Sequence, residues 1–136
     1  MFLKPGRLII TYKNMYPTEE ELIKLYTNGL KKYGEGDFYL AHEFWEDLWH
    51  NKQIKDRIFI QGLIQLSASF YKIQCNNLRG ARSLLEKSIN KFEQYSGIQR
   101  NIDVDKLKQE LLAIKDKYFE INSTEEFNLE FVPDLS

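Results

Sequence analysis

Within Ala41-His42-Glu43-Phe44-Trp45-Glu46-Asp47-Leu48-Trp49 the chain sets one imidazole and two glutamates beside two tryptophans, and Gln61-Gly62-Leu63-Ile64-Gln65 adds two amides to an otherwise apolar stretch. If both segments are helical, His42 and Glu46 stand one turn apart, with a rise of about 6 Å, and can act on one point. Such a pair suits three chemistries. The carboxylate can orient or charge the histidine for acid/base work; the two can ligate a divalent metal; or they can join a hydrogen-bonded cluster that fixes the register of two helices. Glu43 projects about 100° around the helix from His42 and is not expected at the same point without help from another element. The second histidine, His50, lies about 80° from His42, which strains a two-histidine site within one chain. This is also not the two-histidine zinc-protease motif, because Glu46 stands where that motif has its second histidine.

Gln61, Gln65 and Lys72 form a narrow polar stripe on the next helix, with Ser69 at its margin, while Leu63, Ile64, Leu66, Phe70 and Tyr71 take most of the circumference. A helix of that kind is largely buried, and each buried amide left unsatisfied costs about 1 to 3 kcal/mol. His42 and Glu46 are the nearest candidates to satisfy them. The expected site is therefore a cross-helix polar cluster of His42, Glu46, Gln61 and Gln65, with Trp45 and Trp49 as its apolar wall and Glu43 at its border. Ser67 and Cys75 fall off the polar stripe, which gives nucleophilic catalysis little support. The glycines are scattered singly, so there is no phosphate-cradling loop.

The elements that must hold this site are helices. The three prolines stand at 5, 17 and 133, which leaves Thr18 to Val132 free of that breaker. Thr18 with Glu21 forms a capping box for a first helix that carries Leu22, Tyr26, Gly29 and Tyr33 on one face and ends at Gly34-Glu35-Gly36. Asp37 caps a second helix over about 37 to 50, and a third runs over about 55 to 75. After Asn76-Asn77 comes the clearest amphipath: Leu78, Ala81, Leu84, Leu85, Ser88, Ile89, Phe92 and Tyr95 share one side, and Gly97 is read as its stop. Its charged residues, including Arg82 with Glu86, read as a solvated face. Asp103 caps a fifth helix with a stripe of Leu107, Leu111, Ile114, Tyr118 and Ile121. Past Asn122 no helical period remains.

Gly36 to Ala41 aligns weakly with Asn76 to Ala81 at an offset of forty residues. The first of these corners resembles a tetratricopeptide corner, since Gly29, Gly36, Asp37, Phe38, Ala41 and Trp45 stand at that motif's spacing. Two units are too few for a solenoid. The expectation is an all-α domain of about five helices, two stacked helical hairpins plus a C-terminal packing helix, with residues 1–17 as an N-terminal segment, 18–121 as the helical domain and 122–136 as a tail. Tyr12, Tyr16, Phe127 and Phe131 would pack the termini onto it or reach a second subunit.

At 136 residues the chain can bury about two-thirds of its unfolded surface without disulfides or metal, so size demands no cofactor. Nineteen basic residues against twenty acidic ones leave a net charge of −1, which favours neither nucleic acid nor an anionic membrane as partner. One cysteine, Cys75, excludes an internal disulfide and fits a reducing compartment. The N-terminal residues lack the pattern of a signal peptide, and Ile58 to Tyr71, though uncharged, is too short and too polar for a membrane span. A cytoplasmic location is expected.

Taken jointly, Gly29, Tyr33, Gly36, Phe38, Ala41-His42-Glu43, Glu46, Trp49, Gln61-Gly62-Leu63-Ile64-Gln65, Asn77, Gly80-Ala81 and Leu84-Leu85 make the chain resemble, over about residues 22 to 95, the small helical family catalogued as domain of unknown function 309. The resemblance implies a compact all-α fold and a signature made of His42, Glu43, Glu46, Trp49, Gln61 and Gln65. Some members carry the general label of predicted metal-dependent hydrolase. Phe44-Trp45 is bulkier than the aliphatic pair common there, which would narrow a pocket. The leading expectation is a non-catalytic helical binding or interaction module, its partner a small molecule or protein and a homo-oligomer one of its forms, with no cofactor required. The alternative is a metal-dependent hydrolase using His42 and Glu46 with a divalent metal, its site completed by Glu43, Gln61 or a neighbouring subunit.

Overall fold

Thr18 opens the first helix: its hydroxyl accepts from the Glu21 amide and the Glu21 carboxylate accepts from the Thr18 amide, each at 3.1 Å. This capping box starts α1 (Glu19–Gly34), and the computed structural model describes residues 17–136. Tyr12 and Tyr16 lie outside the described residues. Asp37 caps α2 (Phe38–Trp49) through the Leu40 amide; α3 (Arg57–Gln74) follows, and Asn77 caps α4 (Leu78–Phe92) through the Gly80 amide. A two-stranded hairpin, β1 (Ile98–Gln99) with β2 (Ile102–Asp103), leads into α5 (Val104–Glu120), and two 3-10 turns, Thr124–Glu126 and Leu129–Phe131, follow. The fold is all-α, with the principal contacts running between consecutive helices: α1 on α2, α2 on α3, α3 on α4 and α4 on α5.

The weak forty-residue repeat is real at the level of the backbone. In the first corner Asp37 donates to the Lys32 carbonyl and Gly36 to that of Tyr33; in the second, Asn77 donates to Lys72 and Asn76 to Ile73. The cap side chains repeat as well, and Ala41 and Ala81 are both fully buried where each second helix enters its hairpin. The two corners also touch, since the Gln74 amide donates to the Gly36 carbonyl at 3.0 Å.

Two glycines set how closely the helices approach. A Cβ on Gly29 would stand 2.2 Å from Nε1 of Trp45, so the indole lies directly on the α1 backbone, and that same Nε1–H donates to the Tyr26 carbonyl at 3.2 Å. Trp45 is completely buried there, with Tyr33 and Phe38 completing an aromatic cluster that reaches Phe70 on α3. Gly62 does the same for the next interface: its Cβ would meet the Phe92 ring at 2.9 Å, and its carbonyl accepts from the Ser88 hydroxyl. The glycine of the Gln61-Gly62 pair is thus explained by α4, whatever the glutamines do.

Two expectations need correction. The fourth helix ends at Phe92 and not at Gly97, because Tyr95 leaves the helix to take a hydrogen bond from the Phe59 amide on its hydroxyl. Arg82 is no member of a solvated ladder. Its guanidinium donates to the Tyr118 carbonyl at 2.7 and 2.9 Å and to the Ile121 carbonyl at 2.9 Å, satisfying acceptors that the end of α5 would otherwise leave orphaned, while Glu86 pairs with Lys115 instead. The segment after Asn122 is also ordered by contacts rather than periodicity: Phe127 and Leu135 are buried, the Tyr33 hydroxyl donates to the Pro133 carbonyl at 2.8 Å, and Phe131 stays exposed.

The hairpin, which no sequence pattern announced, is held by charge. Its turn residues Arg100 and Asn101 have φ of 49° and 63°, a left-handed pair costly for side chains other than glycine. Arg100 is held there by hydrogen bonds to both oxygens of Asp56 and by the Tyr26 ring, 4.8 Å beneath its guanidinium, while the Tyr26 hydroxyl donates to the Arg100 carbonyl. Burial pushes the Tyr26 phenol up to about 12. Burial would likewise raise the Asp56 carboxyl, but the hydrogen bonds and charge of Arg100, with the Gln99 amide, outweigh it and hold the group below its ordinary value of 3.8. Among the described residues no helix is long and apolar enough to cross a membrane.

Two outcomes follow. Gly29→Ala places a methyl inside the Trp45 indole and should destabilise the fold by about 2 kcal/mol in urea unfolding, despite alanine's better helix propensity; an unchanged midpoint would contradict the close approach. Because Asp56 has a folded pKa below its unfolded one, its stabilising effect is complete above the ordinary carboxylate range and fades as pH falls through it. Asp56→Asn should therefore cost about 1 to 2 kcal/mol at pH 7, a gap that narrows as the pH falls below the ordinary carboxylate value toward the lowered one of Asp56. A gap that instead widens on acidification would show that Arg100 does not hold the charged carboxylate.

Candidate functional site

Helix α2 carries the site on the side away from its Trp45 wedge. The His42 ring stands beside the Tyr39 carbonyl, with Nδ1 at 3.2 Å, and turns Nε2 to within 3.3 Å of Glu46 Oε1. The i,i+4 pairing read from the sequence is therefore present. With Nδ1 donating to the carbonyl, Nε2 meets the carboxylate in one of two ways: it carries a second proton and forms an ion pair, or the two atoms share a cation.

Glu43 corrects the helical-wheel argument. Its Oε1 comes to 3.9 Å from His42 Nδ1, and one ligating atom from each of His42, Glu43 and Glu46 falls within 4.8 Å of the others. A wheel fixes only the direction in which a side chain leaves the backbone, and a glutamate is long enough to swing its carboxylate back along the helix. The three side chains grade from covered to open, at 4% exposure for Glu43, 22% for His42 and 41% for Glu46. An imidazole nitrogen and two carboxylate oxygens make a donor set of the type and number that a catalytic zinc ion takes from protein.

The glutamines do not close onto this group. Among the described residues no hydrogen bond joins Gln61 or Gln65 to His42 or Glu46; both amides instead line a cleft of about 150 Å³ between α2 and α3, with Glu46, Trp49, His50 and Ile64. Glu46 is thus the hinge between two features, the His42–Glu43–Glu46 group and the cleft. At the cleft, Gln65 Oε1 is buried and has no hydrogen-bond partner. Trp49 is partly buried, with Arg57 fastened against it: the guanidinium lies 4.4 Å from the ring centroid and its Nε donates to the Trp49 carbonyl at 3.0 Å. Trp45 lines no part of the cleft, because its indole is committed to α1. Ser69, at the margin of the glutamine stripe, faces the other way and bonds the Ala81 carbonyl and the Tyr118 hydroxyl.

Sequence reasoning missed His50 as a lining residue. It was weighed only as a partner for His42, whereas its place at the C-cap of α2 beside Trp49 brings it to the cleft mouth. Arg57 was also missed; an arginine at the start of a helix facing the last turn of the preceding one was the available signal.

Residues 26–84 match the family model of a domain of unknown function, DUF309. That segment takes in both corners, the cleft and the His42 group, and supports the assignment to the DUF309 family over a narrower span than the resemblance over about 22 to 95. No curated protein matches the chain.

The unpartnered Gln65 oxygen yields a test of what the cluster is for. If it served only to fix helix register, removing the amide would destabilise the fold. An orphaned acceptor costs stability, so Gln65→Met, similar in shape, should instead raise the unfolding free energy by about 1 kcal/mol. A loss of comparable size would restore the purely structural reading.

Proposed function

We propose that the face shared by α2 and α3 is a ligand-binding site and that the protein works as a non-catalytic helical binding module. The observation that carries this reading is the buried, unpartnered oxygen of Gln65 in a cleft that also presents the Gln61 amide, the Glu46 carboxylate and the His50 imidazole. Natural folds rarely leave such an atom unsatisfied unless something else supplies the donor. The cleft holds a group of roughly benzene size, with Ile64 and Trp49 as its apolar walls.

The approach of Glu43 favours a second reading, a metal-dependent hydrolase. His42, Glu43 and Glu46 would hold a divalent cation, with one ligating atom of each lying within 4.8 Å of the others on a single helix, which supports Glu43 as the third ligand. A bound cation would supply Lewis-acid activation of water. The residues themselves would divide the remaining tasks: the Tyr39 carbonyl fixes the His42 ring through Nδ1, Glu43 places a largely buried negative charge beside it, and Gln61 and Gln65 orient whatever enters the cleft.

Two measurements on protein purified without a tag separate the readings: metal content beside that of His42→Ala, and an NMR screen of small polar fragments. The expected outcome is no metal retained in proportion to protein, together with fragments that move the Trp49 indole and Gln65 amide signals while leaving the Trp45 indole still. Stoichiometric metal that disappears in His42→Ala would replace the binding module with the hydrolase. If neither metal nor any fragment binds, both readings fail.

A further inference from the structure

We infer that the α2–α3 cleft takes a primary ammonium group carried on a short methylene chain. This rests on the cleft being a ligand site and goes on to name the ligand's chemistry. Three of the residues that line the space carry side-chain oxygen acceptors: Glu46, whose Oε1 is engaged by His42; Gln61; and Gln65, whose Oε1 is buried without a donor. Among the described residues neither the Gln61 oxygen nor the second Glu46 oxygen has a hydrogen bond. An ammonium supplies N–H donors and no acceptor, and so answers the buried Gln65 oxygen and the Glu46 carboxylate together.

Charge selects in the same direction. Among the described residues Glu46 is the one carboxylate that lines the cleft, and no lysine or arginine lines it. Arg57, at the start of α3, is turned onto the Trp49 ring and carbonyl and so is committed elsewhere. A carboxylate ligand would meet Glu46 with like charge and would leave the Gln65 oxygen without a donor, and a neutral carbonyl would repeat the second fault. The apolar side of the cleft, Ile64 and Trp49, suits methylenes. The space, about 150 Å³, admits an ammonium with a few carbons behind it.

The same chemistry has two sources, a free aliphatic amine and a lysine side chain of a partner protein. The experiment is an NMR titration of the full chain with butylamine, 1,4-diaminobutane, an N-acetylated lysine peptide, butyrate and butyramide, following the Gln65 side-chain amide and Trp49 indole, with the Trp45 indole as the reporter of an intact core. The expected result is saturable shifts with amines alone, weakened at least tenfold in Glu46→Gln and in Gln65→Met while the Trp45 signal holds. Tighter binding of the peptide than of the free amines assigns the source to a protein lysine; the reverse assigns it to a small amine. Binding by butyrate or butyramide but not amines overturns the ammonium assignment and leaves the cleft as a ligand site. Amine binding unchanged in Glu46→Gln also overturns it, and no shift with any of the five overturns the ligand site itself.

Discussion

One indole organises the first half of this molecule. Trp45 lies flat on the glycine gap at Gly29, donates to the Tyr26 carbonyl, and touches Tyr33. A carbonyl of α1 is thereby drawn into a bond with a side chain of α2, so the two helices cannot slide or rotate without breaking a buried hydrogen bond and opening a void of aromatic size. With that face fixed, the rotation of α2 about its own axis is fixed too, and with it the places of His42, Glu43 and Glu46. The chemistry on the outside of the helix inherits its precision from packing on the inside.

The second hairpin solves the same problem with smaller parts. Gly62 receives Phe92, Ser88 bonds the Gly62 carbonyl, and Ser69 bonds the Ala81 carbonyl. Hydroxyl-to-carbonyl bonds tie α3 to α4 where a tryptophan tied α1 to α2. The corners, in contrast, are copies of each other down to individual backbone bonds. Turn geometry repeats because the capping chemistry of Asp37 and Asn77 is local and interchangeable, whereas the packing of each pair depends on which side chains meet.

That division also explains what could be read from the sequence. Thr18, Asp37 and Asp103 announce helix starts because a cap acts within three residues, and the amphipathic stripes announce faces because helical period is local too. Glu43 defeats the wheel because angle does not measure reach. Arg82 defeats it because its acceptors, the carbonyls of Tyr118 and Ile121, lie on another helix and leave no mark near position 82. The hairpin at Ile98–Asp103 was illegible for a third reason: Arg100-Asn101 has none of the glycine that flags a left-handed turn, and the force that holds it comes from Asp56, forty-four residues earlier. For the candidate site, the residue types and the His42–Glu46 pair were legible; the turning of Gln61 and Gln65 toward a cleft with Glu46, rather than into a closed cluster, depends on how α2 and α3 are set by their buried faces.

The Arg82 clamp has a consequence for how the protein comes apart. Helix α5 leans chiefly on α4, and the guanidinium, the Glu86–Lys115 pair and the Ser69–Tyr118 hydroxyl contact are the polar ties between it and the hairpins. A helix attached along one side can detach as a unit while the tryptophan-locked hairpins remain closed, so native-state hydrogen exchange would divide this small molecule into an inner and an outer cooperative block. The segment matched by the family ends at residue 84, within α4, so α5 lies wholly beyond it, and loosening α5 would leave α2 packed between α1 and α3.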